Sequence, residues 1–269
     1  MHPSETSGAA VRWRLIDTPP APGAWNMAVD EALAASVAAG GAPVLRFYRW
    51  DPACLSLGRN QPARGRYDLA ALAAAGIDVV RRPTGGRAVL HRRELTYSVA
   101  APVALLGPQR QAYAAINRAL VAGLRRLGAD ASLQPATGVH APHPSLAPCF
   151  AEPVEGEVVA AGRKLVGSAQ RLLGSVLLQH GSLPLHDDQA AVAALVVGRD
   201  DSAAEAPPAT LAGVLGREPV WHELTAALAA GWEERFPAVL SPDTLTEAEH
   251  AAVREAEARY AGPAWTWHQ

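Results

Sequence analysis

The sequence predicts an α/β (α+β) fold in which helices pack against a mixed or antiparallel central sheet. Three observations favour this class: short apolar runs with strand spacing recur, segments with helical periodicity separate some of them, and glycine pairs or polar turns separate others. The 269 residues are 49% hydrophobic and 19% charged, which suffices for one large core or two smaller ones.

The N-terminal part of the chain begins with a tail and a helix. Residues 1–10 are small and polar and predict a flexible tail. Residues 24–39 predict an amphipathic helix that carries Asn26, Asp30 and Glu31 on its polar side and ends at a glycine pair.

Strand patterns account for most of the remaining order. They occur at residues 13–16, 44–48, 54–57, 78–81, 88–91, 96–101, 157–161 and 175–178. Two further helices are expected at residues 69–75 and 109–127. A short polar turn joins the strands at 88–91 and 96–101, which is why we expect a mixed or antiparallel sheet.

The C-terminal half is less regular. Prolines and histidines crowd residues 133–153 and predict a long ordered loop of the kind that carries function. From residue 191 onward, helix patterns alternate with a loop at 200–209. Because neither a repeat nor a linker is visible, we expect one domain over residues 11–269 with a helical C-terminal part, about 190–269.

Charge and composition exclude several classes of partner. The formal net charge is −2, from 24 basic and 26 acidic residues, so no global field favours nucleic acid. No apolar run reaches the roughly 18 residues of a membrane-spanning helix. The N-terminus lacks a secretory signal and the only cysteines are Cys54 and Cys149, so we expect a cytoplasmic protein.

The densest motif follows the strand predicted at residues 78–81. Arg81 and Arg82 precede a glycine pair, Gly85-Gly86, and Arg87 follows it. Glycines let the backbone approach a ligand, and arginine is suited to a carboxylate or phosphate. The alternative is an ordinary β-turn of a hairpin.

A second motif places a lysine between two glycines. Lys164 is the only lysine in the chain and lies between Gly162 and Gly167, which indicates a tight bend and a position where arginine would not serve. Cys149 lies fifteen residues upstream in the predicted loop. The alternatives are a solvated surface lysine and a small buried cysteine, and Cys54 is expected to be such a core residue.

Four histidines are candidates for a functional role. His91 and His180 titrate in a useful range, but we favour structural hydrogen bonding for both. His140 and His143 have an H-x-x-H spacing without a firm third ligand, so we expect no metal.

Several of these segments together resemble the lipoate and biotin protein ligase superfamily. Residues 81–91, with Leu-Thr-Tyr-Ser at 95–98, are similar to its Arg-Arg-x-x-Gly-Gly signature. Residues 26–31 and 57–61 resemble two earlier family elements, and 162–170 with 179–183 resemble two later ones. The resemblance covers roughly residues 11–187 in the correct order and implies a biotin/lipoate protein ligase-like catalytic domain.

Within the superfamily, the chain most resembles the cysteine/lysine-type octanoyl-[acyl carrier protein]:protein N-octanoyltransferases. That resemblance implies that Cys149 and Lys164 are catalytic. ATP-dependent ligases generally have a third glycine where Arg87 stands, and they need no cysteine. The substrate-binding residues implied by the resemblance and the motifs are Arg81, Arg82, Gly85, Gly86, Arg87, His91, Gly162, Gly167, Ser168, Gln170 and His180.

The implied chemistry is transfer through a thioester. A thiolate attacks an acyl thioester, and an ammonium such as that of Lys164 lowers the pKa of a neighbouring thiol. The expected donor is octanoylated acyl carrier protein. The expected acceptor is a lipoyl domain, such as the glycine cleavage system H protein or a 2-oxoacid dehydrogenase subunit. Neither ATP nor a metal is expected as a cofactor.

Three alternatives remain open. They are an ATP-dependent lipoate-protein ligase, an amidotransferase that moves octanoyl between carrier domains, and a lipoyl-binding module without turnover. For the transferase we expect an apolar acyl tunnel beside the Gly85-Gly86 turn. We also expect salt-sensitive docking of the donor on Arg81, Arg82 or Arg87.

Overall fold

A computed structural model describes residues 10–135, 154–198 and 207–268. Cys149, His140 and His143 lie outside these ranges, as does the predicted tail up to residue 9. Their predicted roles stay predictions.

Eleven strands are present in the described chain. They are β1 (Val11–Asp17), β2 (Val44–Tyr48), β3 (Cys54–Leu57), β4 (Asp78–Arg81), β5 (Val89–His91), β6 (Glu94–Pro102), β7 (Ala131–Leu133), β8 (Val158–Ala160), β9 (Arg163–Leu173), β10 (Val176–Pro184) and β11 (Ala238–Asp243). Eight form one sheet in the order β11-β1-β2-β6-β10-β9-β8-β7, and β4-β3-β5 form a smaller one. Both sheets combine parallel and antiparallel pairs, so the predicted mixed sheet is confirmed.

Nine helices pack around these sheets in the part of the chain that is described. They are α1 (Gly23–Ala38), α2 (Leu69–Ala74), α3 (Val103–Leu106), α4 (Gln109–Arg126), α5 (Ala190–Ala194), α6 (Leu211–Leu215), α7 (Trp221–Arg235), α8 (Glu247–Tyr260) and α9 (Pro263–Thr266). None of the described helices is both long and apolar enough to cross a lipid bilayer.

The large sheet is covered on both faces because its strands bury alternate residues on opposite sides. Trp13 and Phe47 belong to a core that includes buried residues of α4 and α7. Ile16 and Tyr48 belong to a second core with α1 and α8. A third, smaller core lies under β3 and β5. The cavity described below lies where α1 meets both sheets.

The sequence prediction was wrong in two places. Residues 163–173 form the long strand β9 rather than a tight bend at Lys164. The bend lies earlier, at Ala161 and Gly162, whose φ angles of 48° and 71° make a two-residue hairpin turn between β8 and β9. The C-terminal part is also not purely helical, because β11 pairs in parallel with β1.

The polar side predicted for α1 is only partly exposed. Asn26 and Asp30 are fully buried and face the sheet, whereas Glu31 is half-buried. Helical spacing alone could not reveal this, because the small alanines around them fit either face.

Candidate active site

A cavity lies between α1, the small sheet and strands β9 and β10. Its wall is mainly apolar, with Met27, Trp50, Val89 and Ala169 among the lining residues. Such a wall suits a small apolar group, because ligand sites are lined mainly by apolar side chains with a few polar groups. Gly86 also lines it, which agrees with the predicted apolar site beside the glycine turn.

The turn that follows β4 is held in place by Arg82. The guanidinium Nη2 donates to the carbonyls of Gly85 (2.8 Å) and Arg87 (2.7 Å). Its Nη1 donates to the backbone and side-chain oxygens of Ser56, both at 2.9 Å. Gly58 packs directly beneath, since a Cβ there would lie 1.9 Å from the Gly86 carbonyl oxygen. Arg82 lines the cavity and also shapes the turn beside it.

Arg81 has a different environment. Its side chain is fully buried, and its Nη1 donates to the carbonyls of Gly58 and Gln61, at 2.5 and 2.9 Å. Its Nε donates to the carbonyl of Thr266 in α9 at 2.8 Å, and burial lowers its pKa. These contacts join the C-terminal helix to the small sheet. Arg81 is not one of the described residues that line the cavity.

His180 connects α1 to the turn through a buried carboxylate. Asp30 Oδ2 accepts from His180 Nδ1 at 3.0 Å, and Oδ1 accepts from Arg46 Nη1 at 2.8 Å. Burial opposes ionisation of Asp30, but the His180 hydrogen bond and the Arg46 charge outweigh it and hold its pKa below the usual value. Burial also lowers the pKa of His180, despite the Asp30 charge. With Nδ1 donating to Asp30, the Nε2 of a neutral imidazole accepts from the hydroxyl of Thr84 in the turn.

His91 lies in a second buried network on the cavity wall. Its Nδ1 lies 2.7 Å from Glu94 Oε1 and its Nε2 lies 2.7 Å from Ser56 Oγ. The indole of Trp50 stacks on the imidazole at a centroid distance of 4.0 Å. Glu94 also accepts hydrogen bonds from Thr96 and Ser182. The sequence prediction of structural hydrogen bonding by His91 agrees with these contacts.

Strands β9 and β10 form the opposite wall. Gly167 and Ser168 line the cavity, and Ser168 Oγ lies 2.8 Å from the hydroxyl of Tyr97. Gly181 faces them across the strand pair, where a Cβ would lie 2.5 Å from the Tyr97 ring. Gln170 lies further along β9, and its amide donates to the Gln109 carbonyl at 3.0 Å.

Lys164 is buried and its Nζ donates to Glu157 Oε1 at 2.7 Å. The pair joins β9 to the residue just before β8. Lys164 is not among the described lining of the cavity, whereas Ser168, four residues later on the same strand, is. Gly162 likewise lies in the hairpin turn and not on the cavity wall.

The structure thus brings six of the predicted binding residues to one cavity, and these are Arg82, Gly86, His91, Gly167, Ser168 and His180. It adds partners that the sequence analysis did not assign: Asp30, Ser56, Glu94 and Glu157. A signal existed only for Asp30, which lies in one of the family-like segments. Cys54, in contrast, is buried in the core as predicted, and burial raises the pKa of its thiol well above the usual value.

Residues 22–229 match the model of the lipoyl protein ligase A/B catalytic domain family. The chain belongs to this family. Its predicted membership of the lipoate and biotin protein ligase superfamily is therefore confirmed.

Individual relatives agree with this assignment. The chain is 39% identical over 271 residues to a protein named octanoyltransferase LipM from Kyrpidia tusciae, covering 96% of this chain and 99% of the relative. A solved structure titled lipoate-protein ligase A bound with ATP is 27% identical, with a TM-score of 0.78 over 96% of this chain and 98% of the other. A bipartite lipoate protein ligase from Thermoplasma acidophilum, described with its E2 lipoyl domain, is 26% identical, with a TM-score of 0.76 over 97% of each chain.

Proposed function

We propose that this protein transfers an octanoyl group from acyl carrier protein to a lysine of a lipoyl domain in lipoate biosynthesis. The observation that carries the proposal is the end-to-end similarity to a protein named octanoyltransferase, at 39% identity. The cavity supports it, since a mainly apolar wall favours burial of an alkyl chain. The cytoplasm is the proposed compartment.

The proposed reaction has two acyl-transfer steps. The Cys149 thiolate attacks the thioester carbonyl of the donor, a new carbon–sulfur bond forms as the donor's carbon–sulfur bond breaks, and the donor sulfur leaves as a thiolate that takes a proton from water. The amine of the acceptor lysine then attacks the Cys149 thioester, an amide forms and loses a proton, and the Cys149 thiolate is released. Because the thioester supplies the free energy, the proposed reaction consumes no ATP and needs no metal.

Intact-mass spectrometry tests this proposal directly. The protein is mixed with octanoyl-acyl carrier protein without ATP, and the expected result is one added octanoyl group on Cys149. Addition of a lipoyl domain should then remove that group and increase the mass of the domain by the same amount. Absence of acyl-enzyme and of acylated lipoyl domain would contradict the proposal.

The second candidate is an ATP-dependent lipoate-protein ligase, which the similarity to the ATP-bound ligase structure favours. Such a ligase would show ATP–pyrophosphate exchange and would not require Cys149. An amidotransferase would also acylate Cys149, but from an octanoylated lipoyl domain. A binding module without turnover would acylate nothing.

The buried pair of Lys164 and Glu157 permits a sharper test of thiol activation. Replacing Lys164 with Met removes the positive charge that is proposed to stabilise the thiolate, so the apparent pKa of Cys149 should rise. Replacing Glu157 with Gln removes the negative charge that opposes it, so the same pKa should fall. Iodoacetamide alkylation of Cys149 followed against pH measures both shifts. If both variants leave the profile unchanged, Lys164 does not activate the thiol.

The apolar cavity predicts a preference for acyl chains of a particular length. Each buried methylene contributes about 0.8 kcal/mol, so octanoyl should be preferred over hexanoyl by about 1.6 kcal/mol, roughly 15-fold. Replacing Ala169 with Leu fills part of the cavity and should reduce this preference at least fivefold. Transfer rates with hexanoyl and octanoyl donors measure it. Ala70→Leu on the exposed side of α2 is the matched control, and an unchanged preference in Ala169→Leu would place the acyl chain elsewhere.

A further inference from the structure

A second recess contains three arginines. Arg59, Arg171 and Arg259 line it together with Glu31 and Trp265. We call it the arginine cleft. It is formed where α1, the end of β9 and the C-terminal helices α8 and α9 meet.

The arginine cleft lies beside the acyl cavity. On α1, Met27 lines the cavity and Glu31, one turn later, lines the cleft, a separation of about 6 Å along the helix axis. On β9, Ala169 lines the cavity and Arg171, on the same face of the strand, lies about 7 Å further on. The turn at residues 82–87 separates the two spaces. A ligand that leaves the cavity along this face therefore passes the cleft.

The arginine cleft carries excess positive charge. Arg259 is paired with Glu31 at 2.5 Å, which neutralises it. No carboxylate of the described residues pairs with Arg59 or Arg171. Arg171 Nη1 donates to the Pro83 carbonyl at 3.1 Å. Burial and the nearby Arg59 charge lower the pKa of Arg171, although the carboxylate of Glu31 acts in the opposite direction.

Arg59 is oriented by two contacts. Its backbone NH donates to the Thr84 carbonyl at 2.8 Å, and its guanidinium lies 5.5 Å from the centroid of the Trp265 indole. Arg171 is oriented by its bond to the same turn. The Arg171 guanidinium and the Arg59 backbone are therefore anchored to the turn that borders the cavity, while the Arg59 guanidinium lies over Trp265. Planar guanidiniums are well suited to a phosphate.

We propose that the arginine cleft binds the phosphate of the phosphopantetheine arm of the donor, through Arg59 and Arg171. This inference rests on the proposed function, because a thioester donor must carry its acyl group on such an arm. The arm is the part of the donor that lies outside the cavity, and the cleft is the cationic recess next to the cavity, across the turn at residues 82–87. The arginines predicted from sequence for this role were Arg81, Arg82 and Arg87, and two of these bind backbone carbonyls instead.

Calorimetry with small donors tests the arginine cleft without requiring turnover. The parent protein should bind octanoyl-4′-phosphopantetheine at least tenfold more tightly than octanoyl-pantetheine, which lacks the phosphate. The double variant Arg59→Gln/Arg171→Gln should lose that difference while its affinity for octanoyl-pantetheine stays unchanged. Arg254→Gln, an exposed residue of α8 outside the cleft, removes charge and should keep the difference. Equal affinities in the parent, or a difference that survives in the double variant, would overturn the proposal.

A second experiment identifies the source of the anion. Acyl carrier protein without its arm should bind the parent and the double variant equally. If the double variant instead binds this apo form more weakly than the parent does, Arg59 and Arg171 contact carboxylates of the carrier surface. That result would overturn the phosphate assignment. If the parent transfers octanoyl from no thioester at all, the proposed function fails, whereas the calorimetric difference still decides the phosphate site.

Discussion

Replacing Cys149 with Ala is expected to abolish both acyl-enzyme formation and octanoyl transfer, with at least a thousandfold loss of rate. The reason is chemical: the proposed reaction passes through a thioester on this sulfur, and alanine offers no nucleophile. Intact-mass spectrometry detects the acyl-enzyme, and a gel-shift or mass assay of the lipoyl domain detects the product. Full transfer by the Cys149 variant with ATP and octanoate would instead assign the chain to the ATP-dependent ligases.

Cys54→Ala is the matched control for that experiment. Cys54 lies in β3, is fully buried, and has a thiol whose pKa burial raises well above its usual value. A protonated, inaccessible thiol reacts slowly with a thioester. The Cys54 variant should therefore form acyl-enzyme at the parent rate. Loss of acylation in this variant, with Cys149 intact, would contradict the assignment of the nucleophile.

The fold was predictable from sequence where local pattern and burial coincide. Strands β2, β3 and β4 match their predicted residues because apolar side chains of strand spacing end at clear turns. Strand β11 was not predicted, because it contains half-exposed residues and a proline, Pro242. Its order comes from parallel pairing with the distant β1. Such pairing between distant segments is hard to predict from the pattern of neighbouring residues in the sequence.

The candidate site was only partly predictable, for a related reason. Gly86 and His180 could be recognised within motifs, and both line the cavity. The role of Arg81 could not be separated from that of Arg82, because neighbouring strand residues point to opposite faces and only the fold shows which one reaches the cavity. Glu157 could not be predicted as the partner of Lys164, because the two residues are brought together by a hairpin whose turn lies at Gly162.

Asp30→Ala is expected to have the largest effect on stability. Asp30 accepts hydrogen bonds from Arg46, Ser98, His180 and Tyr48, all of them buried. Removing one partner of a buried ion pair leaves the other charge uncompensated and costs about 3–5 kcal/mol. For a domain of this size that corresponds to a melting temperature lower by about 6–20 °C. Thermal unfolding followed by circular dichroism measures it.

The control and the pH dependence distinguish a buried charge from simple loss of packing. Glu234→Ala breaks the half-exposed pair with Arg126 and should cost at most about 1 kcal/mol. Because the folded-state pKa of Asp30 lies below its unfolded value of about 3.9, its contribution is present above that pH and is lost as the pH falls through the folded value. The stability difference between the parent and Asp30→Ala should therefore narrow below about pH 4. A difference that stays constant from pH 7 to pH 3 would show that side-chain volume, and not the carboxylate charge, stabilises α1 against the sheet.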